Sequence, residues 1–291
     1  MTVFDVRHRT ATVDGWEVFY REAGDPANPT LVLLHGFPSS SHMYRYLLAE
    51  LSDRFHLIAP DYLGFGNSAA PTVDEFAYSF DALADIVQGL LNQLGVQRFA
   101  IYVQDYGAPI GWRLASREPA QVTALITQNG NAYEEGFTPF WDVLWAHAKD
   151  RETHADAARE ALQPKAIHWQ YTHGVPADRL DRIAPETWQL DQAGLDRPGN
   201  AEIQLQLFWD YQFNVQAYPT FQQYFRDHQP PTLVVWGRND EIFAPAGAEA
   251  FRRDLPDAQI HLLDAGHFAL ETHGAEIADL IRGFLTSAVK G

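Results

Sequence analysis

Short, continuous apolar runs alternate with segments of helical spacing over the first 131 residues. The run TLVLLHG at 30–36 is typical of a strand buried on both faces of a parallel sheet. The segment SHMYRYLLAELSDR at 41–54 instead places its apolar residues on one face of a helix. The same reasoning predicts a hairpin at 12–24 that turns at Asp14-Gly15, strands at 30–36, 56–62, 98–105 and 122–129, and helices at 41–54, 81–95 and 110–119. Strands that alternate with helices in this way form βαβ units and a parallel sheet.

This alternation stops between 132 and 228, where the chain is rich in Trp, Tyr, His and Gln and has no strand pattern. Helices are predicted there at 140–149, 153–173, 185–192 and 201–227. Strands at 231–237 and 259–266 and helices at 246–255 and 275–285 follow. The fold class predicted is therefore α/β: a mostly parallel twisted sheet with helices on both faces and an inserted all-helical cap. The expected parts are a core at 1–131, a cap at 132–228 and the rest of the core at 229–291, with a ligand cleft beneath the cap.

Composition and charge narrow the functional classes. The 291 residues are 46% hydrophobic and 20% charged, which argues against disorder. A net charge of −17 would repel phosphate backbones, so no nucleic-acid partner is expected. The absence of cysteine excludes disulfides and thiolate nucleophiles and is compatible with a reducing cytoplasm, where we expect the protein. No apolar run is long enough to span a membrane, and no signal peptide is recognisable.

The candidate chemistry centres on Asp105, in the stretch YVQDYGA at 102–108. This stretch lies between a predicted strand and a predicted helix, where a sharp turn can present one side chain above the edge of the sheet. Gly107 and Ala108 are small enough to let the strand and the helix approach closely. Asp105 is therefore a candidate nucleophile, although an Asp at the start of a helix is more often an N-cap.

Three further segments end predicted strands at the same edge. His35-Gly36-Phe37-Pro38 follows the first strand of the parallel sheet, Gly237-Arg238-Asn239-Asp240 follows the cap, and Asp264-Ala265-Gly266-His267 ends the last strand. The chain order is thus nucleophile, acid and base, with each residue at the carboxyl end of a strand. Four such segments in this order, with the helical insertion between those of Asp105 and Asp240, indicate an active site much more strongly than any one of them alone.

With these motifs, and the loop DYLGFGNS at 61–68, the chain resembles the α/β-hydrolase superfamily, in the aspartate-nucleophile branch of epoxide hydrolases and haloalkane dehalogenases. The resemblance implies that Asp105 attacks an sp³ carbon and forms an alkyl ester. His267, oriented by Asp240, would then activate water to hydrolyse it. The backbone N–H groups of Phe37 and Tyr106 would stabilise the oxyanion.

Other assignments remain open at this stage. Glu241 could replace Asp240 as the acid, and Glu134 is a second alternative because some relatives place the acid after the preceding strand. His35, with Gly36 and Pro38, is expected to support its own loop, and Asp264 to hold the loop before His267. His273 is expected to begin or cap the last helix. The twelve histidines form no metal-binding spacing, and Gly64 and Gly66 form no dinucleotide motif, so neither a metal nor another cofactor is expected.

The leaving group depends on the cap. An epoxide needs a proton donor, usually Tyr, whereas a halide needs only N–H donors. The spacing nominates Tyr211 and Trp145 as donors from the cap. Tyr106 stands where halide-releasing relatives carry Trp, and HGFP is more usual among epoxide hydrolases. We therefore expect a small apolar epoxide as the substrate, with an organohalide as the alternative. A non-catalytic ligand-binding protein of the same fold is the third possibility, and the oligomeric state is left open.

Overall fold

A computed structural model describes residues 5–288 of the chain. Eight strands form one sheet in the spatial order β1-β2-β4-β3-β5-β6-β7-β8. The strands are β1 (Arg7–Val13), β2 (Trp16–Ala23), β3 (Thr30–Leu34), β4 (His56–Pro60), β5 (Phe99–Gln104), β6 (Val122–Gln128), β7 (Thr232–Gly237) and β8 (Gln259–Leu263). β2 pairs antiparallel with β1 and β4, and the neighbouring pairs from β4 to β8 are parallel. The carboxyl ends of the parallel strands therefore meet at one edge of the sheet.

The central strands are buried because helices cover both faces of the sheet. All residues of β4, β5 and β7 are buried, as the continuous apolar runs predict. The antiparallel hairpin turns at Asp14 and Gly15, whose φ angles are 49° and 88°. Two positive φ angles are typical of the type I′ turn that an Asp-Gly pair favours. The prediction of this hairpin is confirmed, with β1 starting earlier than expected.

Within the described residues, ten α-helices accompany the sheet: α1 (Arg45–Leu51), α2 (Phe80–Gln93), α3 (Gly107–Arg117), α4 (Asp142–Lys149), α5 (Arg151–Arg159), α6 (Pro164–Thr172), α7 (Glu186–Leu195), α8 (Asn200–His228), α9 (Pro245–Ala250) and α10 (Ala269–Ala288). The helices α4 to α8 all lie in the chain between β6 and β7. The predicted α/β architecture with a helical insertion is thus confirmed. Among residues 5–288, no helix is both long and apolar enough to cross a membrane.

The long helix α8 fastens the insertion to the sheet domain. Near its start, the Asn200 side chain donates a 2.6 Å hydrogen bond to the carbonyl of Gly64. Further along, the Asp210 carboxylate accepts a 2.8 Å hydrogen bond from the N–H of Phe80, the first residue of α2. A carboxylate at a helix N-terminus is favourable because the end N–H groups have no partner within the helix. α8 is therefore tied to the sheet domain at two points along its length.

Several predicted boundaries are wrong. The helix expected at 153–173 is two helices, since Gln163 is extended before Pro164, and a residue before proline is driven out of the helical conformation. The segment expected as one helix at 41–54 begins with a 3₁₀ turn over Ser41–Tyr44. The last helix begins at Ala269 rather than near 275, and it is kinked at His273, so His273 lies within it. The helix expected at 110–119 starts earlier, at Gly107.

Candidate active site

The turn between β5 and α3 holds Asp105 in a left-handed conformation. Its φ is 48°, a region that residues other than glycine enter infrequently, with Asp and Asn among the more tolerant. The helix α3 then begins directly against the end of β3. A Cβ on Gly107 would lie 2.0 Å from the carbonyl oxygen of Leu34, so only glycine fits there. This close approach brings the Asp105 side chain beside the loop that follows β3.

One oxygen of the Asp105 carboxylate is bound by two backbone amides. Its Oδ1 accepts hydrogen bonds of 2.8 Å from the N–H of Phe37 and 2.6 Å from the N–H of Tyr106. These are the two amides predicted to form an oxyanion hole. The other oxygen, Oδ2, lies 3.7 Å from Nε2 of His267. The structure therefore separates the two oxygens, with one held by amides and the other facing the imidazole.

His267 is oriented from its opposite side. Its Nδ1 lies 2.9 Å from Oδ2 of Asp240, so the ring donates its Nδ1 proton to that carboxylate. Asn129 donates a 2.7 Å hydrogen bond to the same oxygen, and the N–H of Ile242 donates a 2.7 Å bond to Oδ1. Asp240 is thus fixed by three donors. Asn129 stands after β6, in the region where some relatives carry the acid, and here it braces the acid from β7.

Burial and charge set the protonation of the two reacting groups. Burial raises the pKa of Asp105, and the neighbouring His267 and the two backbone N–H groups lower it only in part. For His267, burial favours the neutral ring, but the charge and hydrogen bond of Asp240, together with the charge of Asp105, outweigh it and raise its pKa. With Asp105 free, both carboxylates therefore favour the imidazolium form of His267.

Gln104, the last residue of β5, also contacts the imidazole. Its side-chain Nε2 lies 2.8 Å from Nε2 of His267. Because Nδ1 carries the proton donated to Asp240, Nε2 of the neutral ring is an acceptor and the amide N–H of Gln104 is the donor. The amino-acid sequence alone indicates no role for Gln104. Its position immediately before Asp105 is the one signal that would have drawn attention to it.

A small cavity of about 20 Å³ lies above Asp105, which is room for a single water molecule. Its lining is almost entirely apolar: Phe37, Tyr106, Phe140, Trp141, Leu144, Ala161, Phe208 and Ile242, with Asp105 and Gln170 as the polar members. Among the described residues, no hydrogen bond involves the side-chain amide of Gln170. Gln170 lies on α6, and nothing in the sequence pattern of that helix identifies it.

The two predicted cap donors lie in an aromatic cluster behind this lining. The ring of Tyr211 lies 5.9 Å from that of Tyr106 and 4.4 Å from that of Trp141. Its hydroxyl is buried near Tyr218 and forms no hydrogen bond of ordinary geometry with any described residue. Burial, then the neighbouring Tyr218 and Asp105, raise the pKa of Tyr211 well above its ordinary value, so the phenol keeps its proton. Trp145 is half-buried, 6.2 Å from Tyr211, and does not line the cavity.

The alternative acids point elsewhere. Glu241 lies 3.0 Å from the imidazole of His173 on the surface, and Glu134 begins a 3₁₀ turn after β6. Asp264 accepts a hydrogen bond from the side chain of Asn239 and so ties two loops together. Of the three candidates for the orienting acid, Asp240, Glu241 and Glu134, it is therefore Asp240 that binds His267.

The loop after β3 is packed around a neutral histidine. The ring of His35 stacks on that of Tyr62, with 4.0 Å between the ring centroids, and Nε2 of His35 accepts a hydrogen bond from the backbone N–H of Tyr62. Burial lowers the pKa of His35 to about 4. Gly36 and Pro38 flank the Phe37 amide, and a Cβ on Gly36 would lie only 2.3 Å from Cβ of Asp105. This geometry gives His35, Gly36 and Pro38 a part in placing the loop against Asp105.

Comparisons with known proteins agree with this fold. The model of the α/β hydrolase fold family matches residues 29–274, so the chain belongs to that family. It is an α/β-hydrolase enzyme of the branch that includes haloalkane dehalogenases.

Individual relatives cover nearly the whole chain. The chain is 44% identical over 279 residues to an uncharacterized hydrolase of Saccharomyces cerevisiae, covering 94% of this chain and 95% of that one. It is 34% identical over 302 residues to a haloalkane dehalogenase of Bradyrhizobium diazoefficiens, covering 97% and 94%. The solved structure of the epoxide hydrolase CorEH superposes with a TM-score of 0.77 at 18% identity, covering 97% and 99%, which shows a shared fold.

Proposed function

We propose that this α/β-hydrolase opens small apolar epoxides to diols through a covalent ester on Asp105. The observation that carries the proposal is the division of the Asp105 carboxylate. Oδ1 is held by the amides of Phe37 and Tyr106, while Oδ2 faces the cavity side near His267. A carboxylate arranged in this way can attack carbon without a base and already has its future ester carbonyl in the oxyanion hole.

In the first half-reaction Oδ2 attacks a ring carbon of the epoxide, and the C–O bond of the ring breaks. The oxygen that leaves carries a negative charge and needs a proton. Tyr211 supplies it, since its buried phenol is protonated and its hydroxyl has no other firm partner. The products are a hydroxyalkyl ester of Asp105 and a tyrosinate, which regains its proton before the next turnover.

In the second half-reaction His267 takes a proton from water as the water oxygen attacks the ester carbonyl. The negative charge develops on Oδ1, where the amides of Phe37 and Tyr106 already donate. The intermediate then expels the diol oxygen, which takes the proton from His267. Asp240 stabilises the imidazolium in between. Asp105 is restored with one oxygen derived from water, and the second proton of that water leaves its carboxyl group and restores the phenol of Tyr211.

The apolar lining favours a small apolar substrate, and the helical insertion acts as the cap that selects it. Because the cavity of about 20 Å³ holds a single water, substrate entry requires the cap to move. We infer that the insertion sets the size of the epoxide accepted, because six of the ten residues that line the cavity belong to it: Phe140, Trp141, Leu144, Ala161, Gln170 and Phe208.

Halide release from an organohalide is the second candidate. The observation that favours it is Gln170, whose amide lines the cavity without a hydrogen bond to any described residue and could donate to a halide. Relatives named as haloalkane dehalogenases point the same way. Against it, Tyr106 offers no indole N–H next to Asp105, and the indole N–H of Trp141 donates to the carbonyl of Ile242.

The test is incubation of the purified protein with a panel of epoxides and a panel of haloalkanes, with diol and halide measured separately. We expect diol formation that is lost in Asp105→Ala and strongly reduced in Tyr211→Phe, and that is retained in Gln170→Leu. Halide release that depends on Gln170 and not on Tyr211 would replace epoxide opening by dehalogenation. Tight ligand binding with no product in either panel would indicate a non-catalytic binding protein.

A further inference from the structure

Gln104 occupies the only free hydrogen-bonding position of the proposed base. The ring Nδ1 of His267 is committed to Asp240, and the amide Nε2 of Gln104 lies 2.8 Å from the remaining ring nitrogen. A water that gives its proton to His267 must bind at that same nitrogen. In the resting enzyme the Gln104 amide therefore stands where the hydrolytic water has to be.

The other end of the same amide lacks a partner. Gln104 is completely buried, and its Oε1 accepts no hydrogen bond from any described residue. Buried acceptors are nearly always paired, so an unpaired one next to a reacting group indicates a missing partner. This oxygen is close to the proposed nucleophile. A Cβ placed on Gly36 would lie 2.3 Å from Oε1 of Gln104 and also 2.3 Å from Cβ of Asp105.

We propose that Gln104 is the residue that positions the hydrolytic water in the second half-reaction. Its N–H holds Nε2 of His267 while Asp105 is free. Once the ester has formed, the amide gives up this contact to a water molecule, and Oε1 accepts the second proton of that water in a hydrogen bond. His267 removes the first proton, the water oxygen bonds to the ester carbonyl, and Gln104 itself gains and loses no proton.

Gln104 has no part in the first half-reaction, in which the nucleophile needs no base. The charged groups that face His267 are Asp240 and Asp105, and Gln104 is the neutral polar group that contacts its free nitrogen. In the ester, the water that Gln104 holds donates to Nε2 in place of the amide and so favours the neutral state of His267, which can accept a proton. Loss of Gln104 is expected to move the pH dependence of ester hydrolysis to higher pH. The pH dependence of ester formation is expected to stay that of the wild type.

The test compares Gln104→Leu with the wild type in rapid mixing with an epoxide, with the ester followed by acid quench and intact mass. This inference rests on the proposed function. We expect ester formation within about two-fold of wild type and ester hydrolysis slower by roughly 10- to 100-fold, the range for one orienting hydrogen bond. The ester would accumulate, and the pH limb of its hydrolysis would move upward.

Gln128→Leu is the matched control, because Gln128 is an equally buried glutamine one strand away. Its side-chain amide donates to the backbone carbonyl of His267 and to the side chain of Asn129, and it does not touch the ring nitrogen. A purely structural role for Gln104 predicts the same behaviour as in this control, with both half-reactions slowed together.

A second variant, Gln104→Glu, keeps an acceptor oxygen, removes the donor and adds a charge that favours the imidazolium. It carries the test if Gln104→Leu fails to fold. We expect its ester hydrolysis to be slow at neutral pH and to recover at higher pH.

Wild-type ester hydrolysis and an unchanged pH limb in either variant would overturn the role of Gln104 and leave the proposed function intact. An absence of any ester in both the wild type and His267→Gln would instead refute the proposed function, and this inference with it.

Discussion

Replacement of His267 by Gln is expected to stop the reaction after its first half. The substitution removes the base for ester hydrolysis and leaves Oδ2 of Asp105 free to attack carbon. Loss of a general base slows a step by about 10²- to 10⁴-fold. For a typical turnover of about 10 per second, the ester would then last from roughly 10 seconds to several minutes or longer. That lifetime is sufficient for acid quench and mass measurement.

The mass of the trapped protein also identifies the chemistry. Epoxide opening adds the whole mass of the substrate to the chain, whereas halide displacement adds that mass less one hydrogen halide. Digestion should place the added mass on the peptide that contains Asp105. The double variant Asp105→Ala with His267→Gln is the control and should gain no mass. Normal turnover by His267→Gln with no adduct would refute the role assigned to His267.

Three further changes test other parts of the site. Tyr211→Phe is expected to slow ester formation from epoxides by about 10²-fold or more, measured by rapid quench, because the leaving oxygen loses its proton donor; an unchanged rate excludes Tyr211 as that donor. Gly36→Ala should abolish most activity and lower the melting temperature, because a methyl group would lie 2.3 Å from Cβ of Asp105; wild-type activity would contradict the packing described. Ester formation should fall as pH decreases through the raised pKa of Asp105, since only the carboxylate attacks. The rate of ester hydrolysis should fall as His267 becomes protonated at low pH. The pKa of His267 in this step should lie below its pKa in the resting enzyme, because the ester removes the charge of Asp105. Rates of each half-reaction measured across pH test both expectations.

The fold was predictable because its signals are local. Continuous apolar runs such as β5 have to be buried on both faces, and the Asp14-Gly15 turn fixes the hairpin register. The helical insertion was predictable from its lack of a strand pattern, and its helices α4, α7 and α8 lie close to their expected bounds. The division at Gln163 was missed because a long amphipathic pattern outweighed Pro164, although proline restricts the residue before it.

The site was predictable as far as it follows from strand ends. Asp105, Asp240 and His267 could be nominated because parallel strands bring their carboxyl ends to one edge. Their hydrogen bonds could not be predicted, and neither could the contact between Gln104 and His267, which depends on side-chain directions within a turn. Gln170 lies on a cap helix whose polar residues look alike in sequence. Only the packing of α6 over Asp105 distinguishes it.

The left-handed backbone of Asp105 and the burial of its carboxylate both lower the stability of the fold. A residue other than glycine is strained at a φ of 48°, and burial opposes the charge of the Asp105 carboxylate. Asp105 is therefore a destabilising residue at this position. Asn tolerates the same conformation and can accept from the same two amides, without the buried charge. An inactive Asp105→Asn protein should therefore unfold at a higher temperature than the wild type. The residue required for activity at this position is thus expected to be less favourable for thermal stability than its inactive amide.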